Sequence, residues 1–553
     1  MSTSDRPTGS AGFDDVIDLT GSKAAAAAGM PDPGELARLA ADFFGALPRE
    51  LPLVDAGTPA LPAMPGLPAT PSPAMIPGFA FLGDLRSIES LASFAPIPGL
   101  PPMKAFEPAS FEFLDVMRPL EGVGSVPGSD AVPSQFGGFS SSDLSSVPFD
   151  VQAIRRDFPI LGESVGGRPL VWLDNAATTQ KPQAVIDRLS YFYAHENSNV
   201  HRAAHQLAAR ATDAYEAARE TVRRFLNASS TKEIVFVRGT TEGINLIAQS
   251  WGRRNVGKDD EIVITWLEHH ANIVPWQMLA AEKGAKLRVA PVDDRGQVLL
   301  DEYERLLNPR TRIVSFSHVS NALGTVTPAE EMVAMAHRHG ARVLVDGAQS
   351  VAHTRVDVQQ LDADFFVFSG HKIFAPTGVG VVYGKEDVLE HMPPWQGGGN
   401  MIKDVTFEKT IYNETPVRFE AGTGTIGDAV GLGAALDYVS RIGLANIAAY
   451  EHDLLAYGTE ALRRIPGLRL IGTAPEKAGV LSFVIDGYRT EDIGAALAKE
   501  GIAVRAGHHC AQPILRRFGL ESSVRPSLAF YNTCEDIDAL TAVLWRMTSG
   551  YLR

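Results

Sequence analysis

The sequence predicts an α/β fold built on a large, doubly wound and mainly parallel sheet. Two observations support this fold class. Runs of about five apolar residues alternate with helical patterns, as expected for strands buried on both faces. Polar residues follow each run directly, where ligands bind in sheets of this kind. The segments that show this alternation are 231–251, 259–276, 310–325, 340–353 and 363–384.

The chain divides into parts that differ in their sequence pattern. Residues 176–434 contain the alternating segments and are predicted to form the large domain. From about residue 435, helices mix with short strands such as GVLSFVID and GIAVRAG, which indicates a smaller α+β domain over 435–553. Residues 149–175 are predicted to form an N-terminal segment that packs on this small domain.

The first 148 residues differ from the rest in composition. They hold 21 of the 36 prolines and most of the net charge of −15. Because proline disrupts helices and central strands, we predict that this extension is disordered. The acidic balance argues against nucleic acid or an anionic membrane surface as a partner. Two cysteines in 553 residues fit a reducing cytoplasm.

Three apolar islands interrupt the extension, at 36–47, 79–91 and 111–123. The second and third both contain Phe-x-Phe-Leu followed by an aspartate, a repetition that a simple spacer does not need. Similar apolar islands on a flexible acidic segment are typical of multivalent docking motifs. The alternative is that they pack against the surface of the same chain.

Polar side chains at the predicted strand ends are expected to meet at one edge of the sheet. They lack the patterns GxGxxG and GxxxxGK[ST], which disfavours a dinucleotide or a nucleoside triphosphate as ligand. Hydroxyl groups beside a helix start suit a phosphate group. The strand-end residues are Thr240, Thr241, Glu242, His269, His270, Asn321, Asp346, Gln349, Ser369, His371 and Lys372.

Lys372 is the most informative member of this set. It lies between His371 and the apolar run IFAP, so desolvation is expected to lower its pKa and free the amine as a nucleophile. Taken alone, it reads better as an ordinary loop lysine. Together with Asp346 and the hydroxyl groups, it predicts a Schiff base to pyridoxal phosphate, with the acid facing the ring nitrogen.

The stretch RAGHHCAQP, residues 505–513, allows three interpretations of Cys510. A metal site is disfavoured because adjacent residues do not easily reach one ion and no CxxC accompanies them. A buried inert thiol is the usual state of a lone cysteine, but the Gly, His and Gln neighbours indicate an exposed loop. A nucleophile fits best, and Cys534 in YNTCEDIDAL is interpreted as the structural cysteine.

Six motifs together resemble the type II cysteine desulfurases, which are fold type I pyridoxal-phosphate enzymes of the aminotransferase class V group. The motifs are SGHKIFAPTGVGVVYG, VDGAQS, LEHHANIVPWQ, RGTTEGINL, SHVSNALGT and RAGHHCAQP. The resemblance covers residues 149–553. It implies a homodimer that converts L-cysteine to L-alanine, leaves a persulfide on Cys510 and passes the sulfur to an acceptor protein.

The resemblance also implies a role for each matching residue. Lys372 corresponds to the cofactor lysine and catalytic base. The ring contacts that it implies are Asp346 at the pyridine nitrogen, Gln349 at the ring oxygen and His269 stacked on the ring. The implied phosphate ligands are Thr241, Ser369 and His371. The implied carboxylate ligands are Asn321 and Arg525, with Arg505 and His508 nearby in support. Pro526 and Gly424 depart from the family pattern and leave the local loop geometry open.

The extension resembles the cargo-loading domain of desulfurases that are packaged in shells of the second encapsulin family. This implies a cytoplasmic enzyme inside an encapsulin nanocompartment used for sulfur storage, with the three islands docked to the shell protein. One alternative is an unencapsulated desulfurase for iron–sulfur cluster assembly, in which the extension docks a sulfur acceptor. Another is a selenocysteine lyase.

Overall fold

The computed structural model of the protein describes residues 149–201 and 205–549. The predictions for residues 1–148, namely disorder and three docking islands, lie outside the described residues. Within the described ranges, no helix has both the length and the apolar character needed to cross a membrane.

The strands are numbered in chain order. They are β1 (Ser164–Val165), β2 (Arg168–Pro169), β3 (Val171–Trp172), β4 (Ile234–Val237), β5 (Glu261–Thr265), β6 (Lys286–Ala290), β7 (Thr311–Ser317), β8 (Arg342–Asp346), β9 (Phe365–Ser369), β10 (Gly380–Gly384), β11 (Ile402–Val405), β12 (Thr410–Tyr412), β13 (Leu468–Leu470), β14 (Phe483–Ile485), β15 (Ile502–Ala503), β16 (Arg505–Gly507) and β17 (Ser523–Arg525).

The α-helices are numbered in the same way. They are α1 (Val151–Arg156), α2 (Gln183–His195), α3 (Gln206–Leu226), α4 (Thr240–Ile247), α5 (Arg253–Asn255), α6 (Val274–Lys283), α7 (Leu300–Leu306), α8 (Ala329–Arg338), α9 (Val358–Leu361), α10 (Glu386–Glu390), α11 (Ile426–Ile442), α12 (Leu444–Arg463), α13 (Thr490–Lys499), α14 (Gln512–Arg517) and α15 (Cys534–Thr548). Short 3₁₀ turns span His270–Asn272 and Gly370–Lys372, among others.

The large sheet has seven strands in the order β4-β10-β9-β8-β7-β5-β6. The five strands from β9 to β6 pair in parallel, which confirms the predicted fold class. β10 is the exception, because it runs antiparallel to both β9 and β4. Residues 370–379, which join β9 to β10, are too few for the crossover of about a dozen residues that parallel pairing needs.

β9 shows why the strands of this sheet read as continuous apolar runs. Phe366 and Phe368 belong to a core completed by α3 and α11, whereas Phe365 and Val367 belong to a second core completed by α4 and α6. All four side chains are fully buried. Since successive side chains of a strand point to opposite faces, a sheet covered on both sides needs apolar residues at every position.

The C-terminal part forms a second, antiparallel sheet in the order β13-β14-β17-β16. Its core includes Leu454 of α12 and Leu540 of α15. Arg505 on β16 lies directly opposite Arg525 on β17 in the strand register. This pairing of two arginines brings two positive charges to one place on the sheet.

Residues 149–175 lie against the C-terminal part although they precede the large sheet in the chain. β3 pairs in parallel with β15. The ring of Phe149 stacks on Tyr450 of α12, with ring centroids 4.5 Å apart. Arg155 Nη1 donates to Asp536 Oδ2 of α15 at 3.0 Å.

Candidate active site

The predicted site residues meet at the carboxyl ends of β5, β7, β8 and β9. The strand order reverses between β5 and β7, which is where open α/β sheets bind ligands. A cavity of about 200 Å³ lies at this edge. The predicted residues that line it are Thr240, Thr241, His269, Asn321, Asp346, Gln349, Ser369, His371, Lys372, Arg505, Cys510 and Arg525. His508 and the strand-end residues Glu242 and His270 are not part of its wall. A larger cavity, of about 800 Å³, contains none of these side chains.

Hydroxyl groups and a helix start line one end of the cavity. Thr240 is the first residue of α4, and both its backbone N and its Oγ1 lie 2.9 Å from Ser369 Oγ. A Cβ atom at Gly239 would lie 3.0 Å from the same oxygen, so glycine lets α4 begin this close to β9. Backbone N–H groups at a helix start favour an anion such as a phosphate group.

Lys372 ends the 3₁₀ turn that follows β9. Burial lowers the pKa of its amine to about 8. The Asp346 carboxylate raises this pKa, whereas the positive charges of Arg525 and Arg505 lower it. The neutral amine is therefore accessible near neutral pH, as a nucleophile or base requires.

The turn that carries Lys372 is held by a group that the sequence did not indicate, which we call the threonine clamp (Thr178, Thr179 and Lys181). Its donors converge on one acceptor, the carbonyl oxygen of His371: they are Thr179 N at 3.0 Å, Thr178 Oγ1 at 3.0 Å, Thr179 Oγ1 at 3.2 Å and Lys181 Nζ at 3.3 Å. Thr179 Oγ1 also accepts from Phe374 N at 2.7 Å. The clamp thus fixes the backbone on both sides of Lys372.

Two buried side chains form the floor of the cavity. Asp346, at the end of β8, accepts a hydrogen bond from Ala348 N on Oδ1 at 2.9 Å. Burial raises the pKa of this carboxyl group, and the Ala348 N–H and the Lys372 charge act against that rise. Gln349 Nε2 donates to the carbonyl of Ala176 at 2.7 Å, which fixes the orientation of its amide.

His269 lines the cavity in a defined tautomer. Its Nδ1 accepts from Ala271 N at 3.0 Å, so the ring proton lies on Nε2. Burial, together with the positive charge of Lys372, lowers the pKa of the ring to about 3. A neutral imidazole is therefore present throughout the range in which most enzymes work.

Arg525 lies at the centre of a polar network on the small-domain side of the cavity. It is 1% exposed; Nη1 donates to the carbonyl of Asn321 at 2.8 Å and Nη2 donates to Asp174 Oδ1 at 3.1 Å. Arg525 Nε and Asn321 Oδ1 are buried and have no hydrogen-bond partner among the described residues. Arg505 lies opposite Arg525 in the strand register, and the carboxylate of Asp174 forms a salt bridge with Arg525. The network therefore retains positive charge and an unused donor, which suit an anionic ligand.

Cys510 lies in a turn between β16 and α14, on the same cavity as Lys372. Its N–H donates to His508 Nδ1 at 3.0 Å, and its carbonyl accepts from His270 N at 2.7 Å. The carbonyl of the preceding residue, His509, accepts from Asn321 Nδ2 at 2.7 Å. The hydrogen bonds from His270 N and Asn321 Nδ2 thus tie the predicted loop to the large domain.

The second thiol differs from the structural role expected for it. Cys534 is the first residue of α15 and its side chain is exposed, while the helix is capped by Thr533 and Asp536. The helix start therefore does not use the thiol. Among the described residues, no group of three His, Cys, Asp or Glu side chains is arranged to bind a metal ion.

Comparison with known proteins agrees with this fold. Residues 171–540 match the family described as aminotransferase class-V. A cysteine desulfurase of Synechococcus elongatus is 69% identical over 424 residues, which are 77% of this chain and 67% of that protein. A cysteine desulfurase of Klebsiella pneumoniae is 53% identical over 400 residues, 72% of this chain and 98% of that protein.

A solved structure of a cysteine desulfurase has a similar fold. The crystal structure of the cysteine desulfurase CsdA from Escherichia coli superimposes with a TM-score of 0.67 at 40% identity. The match covers 72% of this chain and 98% of that one.

Proposed function

The chain belongs to the aminotransferase class-V family and, within it, to the cysteine desulfurases, and we propose that it is a type II enzyme that leaves a persulfide on Cys510. One observation carries the proposal. Cys510 and Lys372, a thiol and an amine from different domains, line the same cavity of about 200 Å³. An enzyme that moves sulfur from an amino acid to its own cysteine needs both groups at the substrate.

The side chains around this cavity fit pyridoxal phosphate. Lys372 would hold the aldehyde carbon, Asp346 the ring nitrogen, and the hydroxyl groups at the start of α4 the phosphate. The neutral His269 ring has no charge that would oppose a flat aromatic ligand. When bound, this cofactor withdraws electrons from the α-carbon of an amino acid.

The protein's own groups then bind the substrate and move its proton. Arg525, with Arg505 beside it, binds the carboxylate of L-cysteine, because its Nε is an unused buried donor. Lys372 takes the α-proton onto Nζ. A pKa of about 8 supports this role, because it leaves part of the amine neutral at neutral pH.

Cys510 then receives the sulfur. Its thiolate attacks the substrate sulfur, so that a new S–S bond forms while the bond from that sulfur to the β-carbon breaks. The electron pair of the broken bond stays on the three-carbon fragment, which takes up a proton at the β-carbon. Lys372 returns the α-proton from Nζ, and the fragment leaves as L-alanine. The net change is one cysteine and one thiol converted to one alanine and one persulfide, so no oxidant is needed.

The two cysteines provide the test. Cys510→Ala is expected to keep the yellow colour of the bound cofactor but to form no persulfide from L-cysteine, measured by mass spectrometry of the intact protein. Cys534→Ala, at an exposed thiol outside the cavity, is the control and is expected to form persulfide at the wild-type rate. Persulfide on the Cys510→Ala protein, or a colourless wild-type protein that pyridoxal phosphate cannot restore, contradicts the proposal.

We also propose that the enzyme works as a homodimer. Large apolar side chains are exposed on α2 and on the hairpin of β11 and β12: Tyr191 and Tyr193 are 55% and 61% exposed, and Val405 and Phe407 are 59% and 106% exposed. Exposed apolar surface of this kind favours association. Tyr193→Glu with Phe407→Glu is expected to give a monomer in sedimentation velocity. Trp545→Glu, at an exposed position on α15, is the matched control.

The extension is proposed to dock the enzyme inside an encapsulin shell in the cytoplasm. The Klebsiella relative is covered over 98% of its length by 400 residues of this chain, so the desulfurase body accounts for one part of the protein only. The acidic, proline-rich composition of residues 1–148 and its three apolar islands support docking as the role of the remainder.

Removal of residues 1–148 tests this role. The truncated protein is expected to keep desulfurase activity and to lose co-sedimentation with a co-expressed encapsulin shell. Undiminished co-sedimentation contradicts the shell role. A different result favours the alternative role in iron–sulfur assembly. In that result the full-length protein does not bind the shell, and the truncated protein is no longer stimulated by a sulfur-acceptor protein.

A further inference from the structure

The turn that carries Cys510 has an unfavourable backbone conformation. His509 and Cys510 have φ angles of 53° and 55°, and neither residue is glycine. Two successive non-glycine residues in the left-handed region are uncommon and costly. The surrounding contacts must therefore hold this turn in place.

Two imidazole rings supply such contacts by accepting backbone hydrogen bonds. His508 Nδ1 accepts from Cys510 N at 3.0 Å, and His270 Nε2 accepts from Gln512 N at 3.3 Å. The ring centroids of His508 and His270 are 5.7 Å apart. We call this pair the histidine clasp (His270 and His508). It binds the backbone on both sides of the Cys510 side chain.

A ring nitrogen accepts a hydrogen bond only when it carries no proton. We propose that the histidine clasp positions Cys510 for sulfur transfer, and that protonation of either ring releases the turn. Both rings are thus positioning residues rather than bases for the thiol, because the nitrogens in question are already bound to backbone N–H groups. The inference rests on the proposed nucleophilic role of Cys510.

The surroundings of His270 favour its neutral form. Burial and the adjacent His508 ring lower the pKa of His270. Arg505, Arg525 and the neutral His269 lie on the cavity side, and among the described residues no carboxylate forms a salt bridge with either clasp ring. The His270 contact is therefore present at neutral pH and is lost as the pH falls below the ordinary histidine range of about 6.5.

Two double variants distinguish the loss of the hydrogen-bond acceptors of the clasp from the gain of positive charge on its rings. His270→Gln with His508→Asn keeps an acceptor oxygen at each place but cannot gain a proton in this pH range. Asparagine at position 508 accepts from the N–H two residues on, as in an Asx turn. His270→Phe with His508→Phe keeps a ring at each place and removes both acceptors.

The test is amide hydrogen exchange in the full-length, cofactor-loaded protein, followed in peptides that cover residues 508–513 and corrected for the intrinsic effect of pH. From about pH 8 to about pH 5, wild-type protection is expected to fall roughly 2- to 12-fold for each hydrogen bond lost. The Gln/Asn protein is expected to stay protected throughout, and the Phe/Phe protein to lack protection throughout. Peptides covering β9 report whether each variant is folded.

Alkylation gives a second readout. Normalised to its thiolate fraction, Cys510 is expected to react faster with iodoacetamide in the Phe/Phe protein, while the exposed Cys534 reacts at an unchanged rate. Wild-type protection that does not change with pH overturns the clasp, as does a Gln/Asn protein that loses protection in parallel with wild type. Exchange does not depend on sulfur transfer, so failure of the nucleophile role would leave this measurement interpretable.

Discussion

The threonine clamp makes a sharp prediction at Thr179. Thr179→Val keeps the shape of the side chain and removes the hydroxyl group. That hydroxyl donates to the carbonyl of His371 and accepts from Phe374 N. The His371 carbonyl keeps its other donors, but Phe374 N–H loses its acceptor in a fully buried position.

The expected cost follows from this asymmetry. A buried donor left without a partner destabilises by about 1–3 kcal/mol, whereas loss of one of several donors to a shared acceptor costs at most about 1 kcal/mol. Thr178→Val is therefore the matched control, because among the described residues the Thr178 hydroxyl bonds only to the shared carbonyl and to Lys181. We expect Thr179→Val to lower the free energy of unfolding by about 1–2 kcal/mol more than Thr178→Val does.

Urea unfolding of the cofactor-free proteins, followed by tryptophan fluorescence, measures the difference, provided that the slope with denaturant is the same for all three. A parallel loss of turnover is expected, since the clamp holds the turn that carries Lys372. Equal destabilisation by the two variants would refute the reasoning. So would a stable Thr179→Val protein with full turnover.

Three further outcomes follow from the site. In the cofactor-free protein, the rate at which Lys372 reacts with an amine reagent is expected to rise as the pH rises through about 8, because burial lowers its pKa to that value; a midpoint at the ordinary lysine value of about 10.4 would contradict this. Arg525→Lys is expected to raise the KM for L-cysteine at least about tenfold, since lysine replaces the bonds to Asn321 and Asp174 poorly and loses the free Nε donor; an unchanged KM argues for another carboxylate ligand. Asp346→Asn keeps the acceptor for Ala348 N but removes the negative charge, so kcat is expected to fall by about two orders of magnitude while the cofactor stays bound; spectroscopy of the variant and its turnover rate check both parts.

The positions of the strands were predictable because each buried strand is marked by the apolar character of its own residues. A strand buried on both faces is apolar at nearly every residue. β9, Phe365–Ser369, has the sequence FFVFS and is buried throughout. The carboxyl ends of such strands meet at one edge, so Asp346 and Lys372 could be placed together without knowledge of the packing. The antiparallel return of β10 was less visible, since its residues are as apolar as those of its parallel neighbours.

The threonine clamp and the histidine clasp were not predictable, because they join distant segments. Thr178 and His371 are 193 residues apart, and His270 and Gln512 are 242 apart. The residues next to these threonines and histidines in the sequence do not indicate which distant groups they bind. The sequence predicted that Cys510 belongs to the same site as Lys372. It did not predict the left-handed backbone conformation of the turn that carries Cys510.

The pairing of β3 with β15 has a consequence for synthesis on the ribosome. More than 300 residues separate Val171 from its partner Ile502. At about 5–20 residues per second, the ribosome needs about 15–65 seconds to make that stretch, and through this time β3 has no partner strand. Until β15 is made, Val171, Trp172 and the apolar Leu173 must be kept from pairing with other segments. A segment made in the last tenth of the polypeptide therefore decides when β3, made about a third of the way along, acquires its partner strand.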